Sequence, residues 1–131
     1  MPRITRVNTV TIAVRDQDAA LRWYTEILGF EKRLDLPGEG FRWLTVAPRE
    51  QQEVQILLAS WFPELVGKNA MWVLETEDCR GACEELKRRG VRIVEDPEER
   101  RNRVEAVIED LYGNRFELVE TRGRSAQPEP R

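Results

Sequence analysis

Hydrophobic and polar residues alternate along several short stretches of the chain, a pattern that is typical of half-buried β-strands. In the stretch at 6–14 (RVNTVTIAV), Val10 and Ile12 lie on one face of the strand, and Thr9 and Thr11 lie on the other. The same alternation predicts further strands at 30–36, 41–47, 54–60, 70–75, 91–95, 103–108 and 115–121.

Two other stretches follow the 3.6-residue period of an amphipathic helix. The first spans 18–28 and has Asp16 and Asp18 at its start, either of which can cap the N-terminus. The second spans 78–89, with acidic residues early and basic residues late, the order that the helix dipole favours. Its apolar stripe consists of Cys79, Ala82, Cys83 and Leu86. We therefore expect both cysteines to be reduced thiols in the core.

The stretch at 110–120 (DLYGNRFELVE) combines a tight turn with a strand. Gly113 and Asn114 predict the turn, because glycine adopts positive φ freely and asparagine tolerates it. In the strand that follows, Phe116 lies on one face and Glu117 on the opposite one. If Phe116 faces a core that is packed by a helix, the side chain of Glu117 points away from that core.

The second half of the chain repeats the order of elements found in the first half. A shift of 62 positions superposes Thr9 on Met71 and Gln55 on Glu117, and it keeps the strand faces in phase. The repeat predicts an α+β fold of two tandem β-α-β-β-β modules, which form a concave mixed sheet with the helices outside. The predicted organisation is module one at 5–60, a linker at 61–69, module two at 70–121 and a disordered tail at 122–131.

The concave face of the predicted sheet carries a mixture of aromatic, apolar and polar side chains, the usual composition of a small-ligand pocket. Its members are Thr9, Thr11, Trp43, Thr45, Gln55, Leu57, Met71, Val73, Glu75, Glu105, Val107, Arg115 and Glu117. Trp43, Leu57 and Met71 are costly to leave in water, which favours a pocket. The alternatives are a solvated sheet face and a dimer surface.

The composition of the chain argues against several classes of function. The chain has 131 residues, of which 34% are charged, and a net charge of -3, as expected of one soluble domain. No basic patch indicates a nucleic-acid partner, and no apolar run is long enough for a membrane span. The first ten residues lack the apolar region of an export signal, so we expect a cytoplasmic location. The chain has no histidine, which removes the commonest metal ligand and the commonest general base.

Particular motifs resemble those of the vicinal oxygen chelate superfamily, which includes glyoxalases, bleomycin-resistance proteins, extradiol dioxygenases and methylmalonyl-CoA epimerases. VTIAVRDQDAALRWYTEILGFEKR is similar to the opening of that family, ETEDCRGACEELKRRGV to its second helix, and DLYGNRFELVE to its closing turn and strand. The opening motif consists of Asp16, Ala20, Trp23-Tyr24 and Leu28-Gly29-Phe30. The likeness covers roughly residues 5 to 121 and is more specific for fold than for function.

In the metal-dependent members of that superfamily, one residue from each of four strands holds the metal. The resemblance places these positions at Thr9, Gln55, Met71 and Glu117. Only Glu117 is a strong ligand, and Gln55 offers a weaker amide oxygen. Thr9 and Met71 stand where the family usually has histidine, and a hydroxyl and a thioether are poor ligands for the expected metals. We therefore expect no cofactor and no standard metal centre.

The resemblance implies a protein that binds a small organic molecule in its concave groove. The expected ligand-binding residues are Thr9, Trp43, Gln55, Met71, Glu105, Arg115 and Glu117. Trp43 would stack on a planar ligand, and Glu117, Glu105 or Glu75 would pair with a cationic group. One alternative is a lyase or isomerase that uses Glu117 as a base or residual metal ligand, and another is a ligand-free structural homodimer. The resemblance also implies a homodimer, in which the modules either pair within a chain or exchange between chains.

Overall fold

The same succession of elements occurs twice along the chain, as the repeat predicts. A computed structural model describes residues 2–39 and 41–120. The chain divides into unit one, Met1–Val66, and unit two, Gly67–Arg131. Each unit contains a four-stranded mixed sheet and one amphipathic helical segment, so the predicted α+β fold of two tandem modules is confirmed. The predicted tail at 122–131 lies outside the described residues.

Unit one contains four strands and one helical segment that runs on from an α-helix into a π-helical turn. The elements are β1 (Thr9–Ala13), α1 (Gln17–Arg22), the π-helical turn (Trp23–Ile27), β2 (Glu31–Pro37), β3 (Arg42–Ala47) and β4 (Gln55–Ala59). The order in the sheet is β1-β4-β3-β2, and β1 is parallel to β4 while the other pairs are antiparallel. A short 3₁₀ helix, Pro63–Leu65, lies in the predicted linker.

The first helix differs from the continuous helix predicted at 18–28. Asp16, rather than Asp18, caps it, and the Asp16 carboxylate accepts a hydrogen bond from the Ala19 N–H at 3.0 Å. Beyond Arg22 the pitch widens, and the Leu28 N–H bonds the Trp23 carbonyl five residues earlier at 3.1 Å. The wider turn places the rings of Trp23 and Tyr24 in the core of unit one. The 3.6-residue pattern alone does not distinguish this π-helical turn from an α-helix.

Unit two repeats this arrangement with longer strands. Its elements are β5 (Trp72–Thr76), α2 (Cys79–Arg88), β6 (Ile93–Arg100), β7 (Arg103–Glu109) and β8 (Arg115–Glu120). The order is β5-β8-β7-β6, with β5 parallel to β8 and the other pairs antiparallel. The predicted strand at 91–95 is therefore too short. β6 continues to Arg100, and the part beyond residue 95 consists mostly of polar residues. The residues between β6 and β7, Arg101 and Asn102, both have positive φ, as a two-residue hairpin requires.

The core of unit two is built on the apolar face of α2. Cys79 and Cys83 are free, buried thiols, which confirms the stripe predicted from their spacing. They pack with Val104, Ala106 and Leu118 from β7 and β8. Burial raises the pKa of the Cys79 thiol to about 12, so this thiol is protonated at neutral pH and acts as a small apolar core residue.

The strand faces agree with the alternation of the sequence. Ile12, Leu44 and Ile108, which the pattern assigns to the helix-facing side, are fully buried. On the opposite side, Met71 and Val73 are 48% and 54% exposed. Leu57, Thr45 and Val107 share that side but are buried. Within the described residues, no helix is long and apolar enough to cross a membrane.

Candidate functional site

A cavity of about 160 Å³ opens on the side of the unit two sheet that faces away from α2. Carboxylates and a guanidinium line it together with apolar groups, so it presents both charge and apolar surface. The lining residues are Met71, Glu95, Asp96, Arg100, Glu105, Ala106, Val107 and Glu117. The cavity therefore lies over β6, β7 and β8, beside the residue that precedes β5.

The period of β8 directs Glu117 into this cavity. Phe116 and Leu118, on either side of it, are buried in the core. Because successive side chains of a strand point to opposite faces, Glu117 is turned away from that core. In the sheet it lies opposite Val73 of β5 and Val107 of β7. Glu117 is thus a partly buried carboxylate with a strand on each side.

A buried polar network holds the turn that leads into β8. Asp110 accepts hydrogen bonds through Oδ1 from the backbone N–H groups of Tyr112 and Asn114, at 2.8 and 2.9 Å. Asn114 donates from Nδ2 to Asp110 Oδ2 at 2.9 Å, and its Oδ1 accepts from the Gly67 N–H at 3.1 Å. Gly113 has φ of +88°, as the turn pattern predicts. Asn114 does not have positive φ, so the prediction that it serves the turn in that way is wrong, and its role is the buried bridge.

Glu105 lies beside Glu117 on the neighbouring strand. It is two residues from Val107, on the same face of β7. The Arg103 guanidinium contacts the Glu105 carboxylate, with Nη2 to Oε1 at 3.2 Å. Burial raises the pKa of Glu117, and the charge of Glu105 and a hydrogen bond with it raise that pKa further, while Arg103 acts in the opposite direction. The site is therefore a pair of carboxyl groups in which one has an unusual tendency to hold its proton.

This raised pKa predicts how stability depends on pH. Between the ordinary Glu pKa of 4.5 and the raised value, the folded protein binds more protons at Glu117 than the unfolded chain does. The free energy of unfolding therefore falls as the pH rises through this window. We expect Glu117→Gln to remove this contribution, so that the variant gains stability relative to the wild type as the pH rises from 4.5 through the raised pKa of Glu117. Urea denaturation at several pH values measures the difference.

The control for this prediction is Glu84→Gln on the exposed side of α2. The stability difference between this variant and the wild type should stay constant over the same range of pH. A Glu117→Gln variant that tracked the wild type at every pH would contradict the assignment of a shifted pKa to Glu117.

The structure places three of the residues predicted from the sequence at the cavity of unit two. Met71, Glu105 and Glu117 line the cavity. Arg115 is exposed at the start of β8 and is not among the lining residues. The predicted residues of unit one are Thr9, Trp43 and Gln55, which lie on β1, β3 and β4 of its sheet.

Two groups of residues, one lining the cavity and one beside it, were not predicted from the sequence. Glu95, Asp96 and Arg100 line it from β6, in a stretch that the alternation assigns mostly to a loop. Arg103 was also missed, although its position two residues before Glu105 on a predicted strand places both on one face. The available signal was therefore the alternation of β7, because the predicted strand at 103–108 already includes Arg103.

The two units differ in register at the positions equivalent to a metal site. Thr9 lies opposite Gln55 in unit one, whereas Glu117 lies opposite Val73 in unit two, two residues beyond Met71. A slip of two residues leaves every side chain on its original face. The 62-residue shift therefore predicts the correct faces and misses the register between β5 and β8.

The donor groups at the four positions do not fit the metal centre that the family resemblance implies. The Gln55 amide oxygen accepts a hydrogen bond from the Thr45 hydroxyl at 2.7 Å, and the Thr9 hydroxyl donates to Asn8 Oδ1 at 2.6 Å. Met71 offers only a thioether, which is a poor ligand for hard divalent cations. Across residues 2–39 and 41–120, no three acidic or cysteine side chains are grouped to hold a metal ion.

The chain is similar to a known protein family and to several known proteins. Residues 6–118 match the model of the Glyoxalase/Bleomycin resistance protein/Dioxygenase superfamily. The crystal structure of UcmS2 is 38% identical, with a TM-score of 0.79 over 90% of this chain and 99% of that one. The crystal structure of TnmS3, an antibiotic binding protein from Streptomyces sp. CB03234, is 31% identical, with a TM-score of 0.82 over 92% and 98%. YurT of Bacillus subtilis (strain 168) is 30% identical over 88% of this chain and 98% of its own length.

Proposed function

The chain belongs to the Glyoxalase/Bleomycin resistance protein/Dioxygenase superfamily, and we propose that it binds a small organic molecule in the cavity of unit two without a metal centre. The observation that carries this proposal is the cavity itself, in which the partly buried Glu117 stands beside the apolar side chains of Met71 and Val107. Apolar walls with a few placed polar groups are the usual composition of a small-molecule site. TnmS3, described as an antibiotic binding protein, supports the same class of function.

The dimensions of the cavity support partial enclosure of the ligand. A volume of about 160 Å³ is smaller than the pockets that bury whole drug-sized molecules. Met71 and Val73, which are about half exposed, continue the apolar surface along β5. A ligand that fills the cavity with one group and covers these two side chains with the rest would remove their apolar surface from water, which stabilises the complex.

Trp43, Thr9 and Gln55, which are partly exposed on the unit one sheet, form a second proposed contact surface. Trp43 is half-buried on β3 and lies opposite the exposed Leu36 of β2. An indole ring held in this way offers a flat face for stacking on a planar ligand. Thr9 and Gln55 belong to the same proposed surface, with hydroxyl and amide groups.

The experiment begins with the metal content of the purified protein. We then expect some organic compounds, screened as aromatic cationic drugs and 2-oxo aldehydes, to raise the melting temperature by binding to the native state. Glu117→Gln should weaken binding of those compounds by about tenfold, equivalent to about 1.4 kcal/mol. Glu77→Gln, an exposed residue between β5 and α2, is the matched control and should bind like the wild type. Tightly bound stoichiometric metal, or a screen without any stabilising organic compound, would contradict the proposal.

A lyase or isomerase activity is the second candidate, and the raised pKa of Glu117 favours it. A carboxyl group with a raised pKa is a stronger base when ionised and can take a proton from carbon next to a carbonyl group. Exchange of such protons with deuterium in a 2-oxo aldehyde, followed by NMR, tests the activity. Exchange at the same rate with the wild type and with Glu117→Gln would reject this candidate.

We also propose that the chain forms a homodimer. Leu36 and Phe41 of unit one are about half exposed, and large apolar side chains in that state favour association. Sedimentation velocity at micromolar concentration measures the mass directly, and a monomer would contradict this part of the proposal.

A further inference from the structure

One face of the unit one sheet carries partly exposed apolar side chains beside a buried hydroxyl group. Leu34 and Leu36 of β2 are 36% and 52% exposed. They lie directly opposite Thr45 and Trp43 of β3, so all four side chains share this face. Trp43 is half-buried, whereas Leu44, which points to the other face, is fully buried in the core. A planar molecule that covers the indole ring and the leucines would remove apolar surface from water.

Gln55 adds a polar group to this face, and the buried hydroxyl fixes the direction of its amide. The Thr45 hydroxyl donates to Gln55 Oε1 at 2.7 Å, and it accepts a hydrogen bond from the Leu34 N–H at 3.1 Å. Thr45 is fully buried, so water is not available to accept the hydroxyl proton in place of the Gln55 oxygen. If the amide turned round, its N–H would meet a hydroxyl whose own proton had lost its acceptor, which costs a buried hydrogen bond.

The N–H end of the Gln55 amide is therefore turned away from the buried hydroxyl. Gln55 is partly exposed, and among residues 2–39 and 41–120 no acceptor takes a hydrogen bond from its Nε2. Thr9, opposite Gln55 on β1, has its hydroxyl directed to Asn8 Oδ1. The Glu31 carboxylate, on the same face of β2, contacts the Arg33 guanidinium at 2.8 Å. Gln55 thus offers two N–H donors, which carry partial positive charge, to a ligand.

We propose that this face of unit one binds planar molecules that carry a neutral hydrogen-bond acceptor, such as the carbonyl group of an aromatic ketone. The ring lies on Trp43 and Leu36, and the acceptor atom takes an N–H of Gln55. Trp43 is two residues from Thr45 along β3, about 7 Å, which one ring and its carbonyl group span. A cation is disfavoured there, because the Gln55 oxygen is bonded to Thr45 and only N–H groups face the ligand. This inference rests on the proposed binding function and specifies the chemical class of the ligand at unit one.

Three probes of similar size and shape separate the effect of the acceptor from that of the ring. Acetophenone carries a carbonyl oxygen, α-methylstyrene has a methylene group in its place, and benzamidinium is a cation that offers only donors. In proton–nitrogen NMR titrations of the isotopically labelled protein, acetophenone should shift the signals of both the Trp43 indole N–H and the Gln55 side-chain amide. The signal of the Gln55 amide should respond little to α-methylstyrene. Equal shifts of that amide with the two probes would overturn the inference.

Replacing Gln55 tests the hydrogen bond to the ligand. Gln55→Glu keeps an acceptor for the Thr45 hydroxyl but presents a carboxylate oxygen in place of the N–H groups. It should weaken binding of acetophenone about fivefold, the factor for a net hydrogen bond of about 1 kcal/mol, leave α-methylstyrene unchanged and strengthen benzamidinium. Gln51→Glu makes the same change of charge at an exposed residue between β3 and β4, and it should leave the ratio of the three affinities unchanged. A Gln55→Glu variant with the wild-type ratio would reject the proposed ligand class.

Thr45→Val tests whether the buried hydroxyl positions the amide. Valine has nearly the shape of threonine without the hydroxyl, so the Gln55 amide becomes free to turn its oxygen toward the ligand. The preference for acetophenone over benzamidinium should then fall by up to about fivefold, while the affinity for α-methylstyrene stays the same. A loss of stability with an unchanged preference would mean that Thr45 is only a core residue, and it would overturn the fixed direction of the amide.

The outcomes distinguish this inference from the proposed role of the cavity in unit two. If screened compounds shift the signals of Glu117 and its neighbours but acetophenone shifts none at Trp43 or Gln55, the binding function stands and this inference fails. If acetophenone shifts the Gln55 amide and no compound binds in the cavity, this inference stands and the cavity is not the ligand site. If no organic compound binds to either unit, both proposals fail.

Discussion

Replacing Asn114 by alanine is expected to lower the free energy of unfolding by about 3 kcal/mol, because it removes side-chain hydrogen bonds from a largely buried polar network. Asn114 is fully buried, and its side-chain amide joins Asp110 to the backbone N–H of Gly67. Alanine keeps the backbone bonds of the turn but removes both of these links. Water cannot easily compensate, because Asp110 is buried as well. Urea denaturation followed by fluorescence measures the change.

Asn8→Ala is the matched control for this prediction. Asn8 is exposed, and its side chain accepts a hydrogen bond only at the surface, from the Thr9 hydroxyl. This substitution should change the free energy of unfolding by less than about 0.5 kcal/mol. Equal effects of the two substitutions would contradict the buried bridge. The bridge also matters for the site, because it fixes the turn from which β8 carries Glu117 into the cavity.

Replacing Phe116 by alanine is expected to cost about 4 kcal/mol of unfolding free energy, within the range for a buried aromatic side chain. Phe116 is 1% exposed and packs edge-to-face against Trp72, with ring centroids 5.9 Å apart. Its removal leaves a cavity between β5 and β8, because the surrounding strands cannot collapse fully into the space. Thermal and urea denaturation of the variant test the magnitude.

Val73→Ala provides the comparison on the other face of the same pair of strands. Val73 is 54% exposed and lies opposite Glu117, so its truncation should cost less than about 1 kcal/mol. The difference between the losses of unfolding free energy at Phe116 and Val73 compares how tightly the two faces of the sheet are packed. Comparable losses at both positions would mean that the side predicted to bind ligand is packed as tightly as the core.

Local patterns in the sequence predicted much of the fold. The positions of the strands and the burial of Cys79 and Cys83 depend on neighbours within a few residues. The π-helical turn at Trp23–Ile27 was not predicted, because it preserves nearly the same apolar face as an α-helix. The full length of β6 was also missed, because an edge strand that is exposed on both faces has no apolar alternation.

Some features of the candidate site likewise have local causes, and others depend on long-range contacts. The sequence by itself determined that Glu117 leaves the core face of β8, because side-chain direction alternates with a period of two along any strand. Only the tertiary structure decided that Glu105 and Arg103 are its neighbours and that Val73, rather than Met71, lies opposite it. Those relations depend on the hydrogen-bond register between strands that are distant in sequence, and a slip of two residues leaves the sequence pattern of each face unchanged.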